Sequence, residues 1–167
     1  MKSAWTGFYA ATLNPPTYSL DSDYQPKVVD FGLSKLQNRG KPSNSSFSRM
    51  RGTRGYMAPE WIFNLPITSK VDVYSYGIVV LEMVTGKSTQ IHAVDDAAER
   101  ERKSLVAWVR EKKNRPAATI CWIEDVIDLR YDMAKMEILV GVALQCVEED
   151  KDARPTMSQV VEILLHR

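Results

Sequence analysis

Apolar residues recur at three- and four-residue spacing through most of the second half of the chain, and that period predicts helices. The strongest stretch begins after Thr68 or Ser69, either of which makes a good N-cap. It runs to about Thr85, with Gly86 as the stop. Within it Val71, Tyr74, Ile78, Leu81 and Val84 mark one face, and Val73, Gly77 and Val80 widen it almost to the full circumference. A helix apolar nearly all round belongs at the centre of a domain. Ser104 to Lys112 predicts a short helix with Leu105, Trp108 and Val109 inward. Met133 to Val147 predicts an amphipathic one bearing Met136, Leu139, Val140, Ala143 and Val147. Thr156 opens a last helix carrying Val160, Val161, Ile163 and Leu164. Strand signal is confined to Lys27-Val28-Val29. Residues 37–48, with Gly40, Pro42, Asn44 and several serines, read as an exposed flexible loop, and 88–103 as a charged one. Residues 1–19 show neither period. The fold class that follows is mainly α, with little strand.

Composition alters this picture little. The 167 residues suffice for one domain with a real core. Apolar residues at 44% and charged ones at 26% are those of a globular chain and exclude wholesale disorder. A net charge of +1 gives no ground for a nucleic-acid or anionic-membrane partner. No apolar run approaches the roughly 20 residues that a membrane span needs, and the N-terminus lacks the apolar segment of a signal peptide. Cys121 and Cys146 have apolar neighbours and no second ligand at metal-binding spacing, so they read as reduced core residues.

The chemistry lies in four short motifs in fixed order. Asp30-Phe31-Gly32 follows the strand-like run and is weak evidence alone. After it come Gly52-Thr53-Arg54-Gly55-Tyr56-Met57-Ala58-Pro59-Glu60, then Asp72-Val73-Tyr74-Ser75-Tyr76-Gly77 inside the central helix, then Arg154-Pro155 before the last one. In this order they resemble the second half of the eukaryotic protein-kinase domain, over residues 20–167. Gly52 to Trp61 and Cys146 to Val161 are similar to the plant receptor-like serine/threonine kinases of the lectin or S-domain type.

The resemblance implies a kinase C-terminal lobe, an activation segment plus helices, with a role for each matching residue. Asp30 would hold the magnesium that bridges ATP phosphates, since a hard cation takes carboxylate oxygen. Phe31 would pack between lobes and Gly32 would let the aspartate swing. Ser43, Ser45, Ser46 and Ser48, near Lys41, Arg49 and Arg51, would be phosphosites that order the activation segment. Thr53, another possible phosphosite, would face the substrate hydroxyl. Gly55 and Tyr56 would form the shelf under the residue after the acceptor. Glu60 and Arg154 would be a buried ion pair acting as a geometric lock, in which loss of one partner costs roughly 3–5 kcal/mol. Asp72 would accept hydrogen bonds from the catalytic loop. Mg-ATP is the cofactor the family implies, proteins or full-length kinases the partners, and the plasma membrane the location of the intact receptors. This chain, without a span, is expected in the cytoplasm.

One departure bears on mechanism. Counted back from Asp30 at the family's spacing, the catalytic aspartate falls at Thr12 and the catalytic-loop asparagine at Thr17, with Asn14 at the usual lysine. Threonine is no base and a poor magnesium ligand. The 167 residues also hold no Gly-rich loop and no strand lysine, so residues 1–19 read as a segment foreign to the family, joined at about Leu20 by another reading frame or splice choice. A missing neighbour for the central helix is expected to leave its apolar face around Val73 to Val80 exposed. Three readings follow: a serine/threonine-kinase fragment that is not catalytic alone, a non-catalytic binding or regulatory module like a pseudokinase, or a truncated product without independent function.

Overall fold

The structure, a computed structural model, describes residues 7–9, 18–28, 35–37, 53–63, 65–91, 103–114 and 132–166. Thr12, Thr17, Asp30, Phe31, Gly32, the four serines of 43–48 and Cys121 lie outside them.

Five helices and three two-stranded antiparallel ribbons make up the described part. The first ribbon pairs β1 (Gly7–Tyr9) with β4 (Lys35–Gln37), and the second pairs β2 (Tyr18–Leu20) with β3 (Pro26–Val28). The tight β2–β3 turn is organised by Asp21. Its Oδ1 accepts the N–H groups of Asp23 and Gln25 at 3.0 and 2.9 Å, and its Oδ2 pairs with Lys27 at 2.9 Å. Strand structure thus enters residues 1–19, where none was expected, because three paired residues are too few to show alternation. β1 and most of β2 precede or flank the composition break and pair with strands beyond it. A third ribbon, β5 (Gln90–Ile91) with β6 (Lys103–Ser104), closes part of the stretch read as a charged loop.

Helix α1 (Pro59–Ile62) is a single turn with Pro59 at its start, where a missing N–H costs nothing. The central helix α2 spans Lys70–Thr85 and stops at Gly86, whose φ of +63° is the left-handed conformation of a helix C-cap. Its start is held by Thr68 rather than Ser69: the Thr68 hydroxyl accepts from Lys70 N, and Ser69 is itself helical without a side-chain cap. Helix α3 (Leu105–Lys113) is capped by Ser104, α4 (Met133–Cys146) by Asp132, and α5 (Met157–Leu165) by a full capping box between Thr156 and Gln159.

The core forms where α2 crosses α4. Gly77 lets them meet: a Cβ there would stand 2.7 Å from Val147 Cγ1 and 2.8 Å from both the Ala143 carbonyl oxygen and Cys146 Cβ. One face of α2, with Ile78, Val80 and Leu81, packs on Leu105 and Val109 of α3 and on Val140, Ala143, Leu144 and Val147. The other face sends Val73 against Val142, Cys146 and, from α5, Val160. The expectation of an exposed face between Val73 and Val80 is therefore wrong. Val73, Ile78, Val79 and Val80 are all buried, because helices packed on different sides of α2 divide its circumference between them.

Candidate functional site: a shelf bound to the central helix

Residues 53–61 approach α2 as a turn followed by α1. Tyr56 N–H bonds to the Thr53 carbonyl at 3.2 Å, and Thr53 itself is exposed. Gly55 has a φ of +96°, which L side chains rarely adopt, and a Cβ on it would lie 2.5 Å from Thr89 Oγ1. Two bonds then fasten Tyr56. Its hydroxyl donates to Glu82 Oε2 at 2.5 Å, and its carbonyl accepts from Ser75 Oγ at 2.8 Å. Glu82 Oε1 accepts the N–H of Thr89 at 2.6 Å, so one carboxylate ties the shelf to the segment that leaves α2. Burial, and then the bond to Glu82, raise the Tyr56 hydroxyl pKa well above its ordinary value. Met57 and Trp61 are buried beneath, with Ile67 packed against them.

Behind the shelf stands the most enclosed charge pair of the described residues. Arg154 Nη1 and Nη2 donate to Glu60 Oε1 and Oε2 at 2.7 and 2.8 Å, with the two side chains 0% and 4% exposed. The remaining three N–H groups go to main-chain carbonyls: Nε to Glu148 at 2.7 Å, Nη1 to Lys70 at 3.0 Å, and Nη2 to Glu149 at 3.1 Å. All five donors are used, which is the condition under which a buried guanidinium is tolerated. The guanidinium carbon also lies 5.0 Å from the centre of the Tyr74 ring, and Lys70 Nζ donates to the Arg154 carbonyl. One side chain thus joins α1, the start of α2 and the turn before α5.

Asp72 is half-buried in the first turn of α2, where a carboxylate suits the positive end of the helix. Tyr18, half-buried on β2, lies within electrostatic reach of it. Burial first, then Tyr76 and the Asp72 charge, push the Tyr18 hydroxyl up to about 12. Cys146 is buried and free, its thiol also pushed up to about 12 by burial. Among the described residues no group of three or more His, Cys, Asp or Glu is arranged to hold a metal ion, and no helix is long and apolar enough to cross a membrane.

The structure brings Gly55, Tyr56, Glu60 and Arg154 against α2 and the segment that leaves it, with Asp72 in the first turn of that helix. Glu82, Thr89 and Lys70 escaped the sequence reading, and Ser75 was named only as part of its motif, without a role. Ser75 carried a signal, since a hydroxyl inside an all-round apolar helix must find a partner. Glu82 carried none, since a charged residue near the end of a helix is ordinary in sequence.

Comparison with known proteins gives the family. The protein kinase domain family matches residues 19–164, and the chain belongs to that family. Its relatives include plant receptor-like kinases. A Zea mays protein named as a receptor protein kinase is 41% identical over 92% of this chain and 19% of its own length. G-type lectin S-receptor-like serine/threonine-protein kinases of Arabidopsis thaliana and Oryza sativa subsp. indica are 40% and 37% identical, each over 91% of this chain and 18% of their length. The chain spans about a fifth of the length of these relatives. Use of Mg-ATP and action on proteins are general properties of the family.

Proposed function

We propose that this chain is the substrate-docking part of a serine/threonine kinase domain and does not transfer phosphate by itself. In the whole protein, a receptor-like kinase at the plasma membrane, the reaction would be transfer of the ATP γ-phosphate to a protein serine or threonine. Residues 20–167 supply the C-lobe part, with Asp30 as the magnesium ligand and Thr53, Gly55 and Tyr56 at the acceptor. Ser43, Ser45, Ser46 and Ser48 are its candidate phosphosites. Residues 1–19 stand outside the family pattern. The donor set present does not fit a complete magnesium–nucleotide site, because Thr12 and Thr17 stand where a base and a second metal ligand are needed.

The observation that carries this reading is the fastening of the shelf. Tyr56–Glu82–Thr89 and Glu60–Arg154 hold residues 53–61 against α2 through contacts made by the chain's own side chains. Thermal unfolding of the full chain, with and without magnesium and ATP, tests it. A cooperative transition that ignores the nucleotide is the expected result. An upward shift with Mg-ATP, or phosphate incorporation into casein by the chain alone, defeats the proposal. A transition without cooperativity favours a truncated product with no function of its own.

A further inference from the structure

Thr89 meets three parts of the fold with three different groups. Its N–H donates to Glu82 Oε1 at 2.6 Å, near the end of α2. Its carbonyl accepts from the N–H of Leu105, the first residue of α3, at 3.1 Å. Its hydroxyl oxygen faces Gly55, so closely that a Cβ on that glycine would stand 2.5 Å away. Glu82 in turn holds the Tyr56 hydroxyl with its other oxygen. Thr89 is therefore the point where the shelf, the end of α2 and the start of α3 are joined. It is half-buried, and Gly86, Lys87 and Ser88 before it are all exposed, so an enzyme can reach it along an open stretch of chain.

Charge decides what a change at this hydroxyl would do. The Tyr56 O–H and the Thr89 N–H are both held by the negative charge of one carboxylate. A phosphoryl group on Thr89 Oγ1 would bring a charge of roughly −1.5 to −2 beside the very N–H that Glu82 occupies. Like charges that close repel, and a carboxylate driven off Thr89 takes its bond to Tyr56 with it. The phosphoryl oxygens would also press on Gly55, whose backbone lies against that hydroxyl. We propose that Thr89 is a phosphorylation site, modified by a serine/threonine kinase using Mg-ATP, and that the phosphate unfastens the shelf. The threonine oxygen takes the γ-phosphoryl group, its proton passes to a base of that kinase, and ADP leaves. What the switch regulates rests on the reading of residues 53–61 as a substrate shelf. The unfastening itself does not.

Two measurements on the full chain test it. In the first, the chain is expressed in plant leaf cells under phosphatase inhibition, and its tryptic peptide 88–100 is sequenced by mass spectrometry. Ser88 and Thr89 are the only hydroxyl residues of that peptide. Phosphate on Thr89 is expected, and phosphate on Ser88 alone, or on neither, overturns the proposal. In the second, hydrogen–deuterium exchange compares the unmodified chain with one carrying genetically encoded phosphothreonine at 89. Exchange at residues 53–58 should quicken about tenfold at low salt, with α4 and α5 unchanged, and added salt should shrink the gain. Thr89→Val should stay slow, because it keeps the shape and the N–H. In a Glu82→Gln background the phosphate should quicken exchange far less, since the repelled charge is gone. Equal acceleration in that background, or acceleration that spreads through α4 and α5, overturns the switch. So does unchanged or slower exchange, the latter showing that the exposed Arg54 beside Gly55 captures the phosphate. Each of these failures leaves the shelf standing, and the shelf reading falls separately, on a thermal shift with Mg-ATP.

Discussion

Glu60 and Arg154, 94 residues apart in sequence, meet as a two-pronged ion pair with both side chains almost wholly out of solvent. Such a pair is a lock more than a source of stability: the intact pair roughly offsets its desolvation, whereas a lone survivor does not. Arg154→Ala or Glu60→Ala should therefore each lower the unfolding free energy by roughly 3–5 kcal/mol. The double substitution should lose much less than the sum, since neither charge is then stranded. Urea denaturation of the four proteins measures this, and additive losses would show that the two residues act independently.

Tyr56→Phe keeps the ring and removes one hydroxyl. Glu82 would then hold only the Thr89 N–H, at a cost of roughly 1–3 kcal/mol for a partly buried charged acceptor. The loss should be local. Proteolysis at residues 53–58 should quicken more than global stability falls, and parallel changes in the two would argue against a separately fastened shelf.

Two glycines on the facing helices should respond oppositely to alanine. At Gly77 the new methyl group meets the Ala143 carbonyl and Cys146 Cβ, atoms that cannot swing aside, so Gly77→Ala should destabilise by about 1–3 kcal/mol despite better helix propensity. At Gly141, inside α4, a Cβ meets nothing within 4 Å, so Gly141→Ala should stabilise by roughly 0.5–1 kcal/mol. Thermal melts decide both signs.

Alkaline pH should unfold this chain early. Burial raises the Cys146 thiol from 9.0 to about 12 and the Tyr18 hydroxyl from 10.0 to about 12, and Tyr56, Tyr74 and Tyr76 are raised too, burial leading in each. A group whose folded value exceeds its unfolded one gives its full stability below the unfolded value, and loses it as pH climbs toward the folded one. Urea midpoints should thus hold steady up to about pH 9 and fall between about 9 and 12, cysteine first and tyrosines from about 10. Tyr18→Phe should make the upper part of that fall shallower. A midpoint constant to pH 12 would contradict the burial of these groups.

What was legible in the sequence follows the range of each interaction. The boundaries of α2, α3, α4 and α5 fall within a residue or two of the apolar period and its capping residues, because helix bonds and caps are local. Motif order was enough to recognise the kinase family, since four short patterns must follow one another at set spacing. Paired backbone leaves no such trace when a strand has two or three residues, and β1, β2, β4, β5 and β6 were missed for that reason.

The tertiary structure alone decided the rest. Glu82 and Lys87 are ordinary charged residues in the sequence. Only the approach of residues 53–61 to the end of α2 makes one an anchor for Tyr56, and only the packing of α3 beside that end sets the other over the Trp108 ring. The burial of Val73 to Val80 was likewise out of reach, because periodicity reports how much of a helix is apolar and not how its neighbours share that surface. Sequence by itself determined the helices and the family, through local bonding and motif order. The long-range contacts that hold residues 53–61 to a helix and to Arg154 depend on distances between segments far apart in the chain, and those distances exist only after folding.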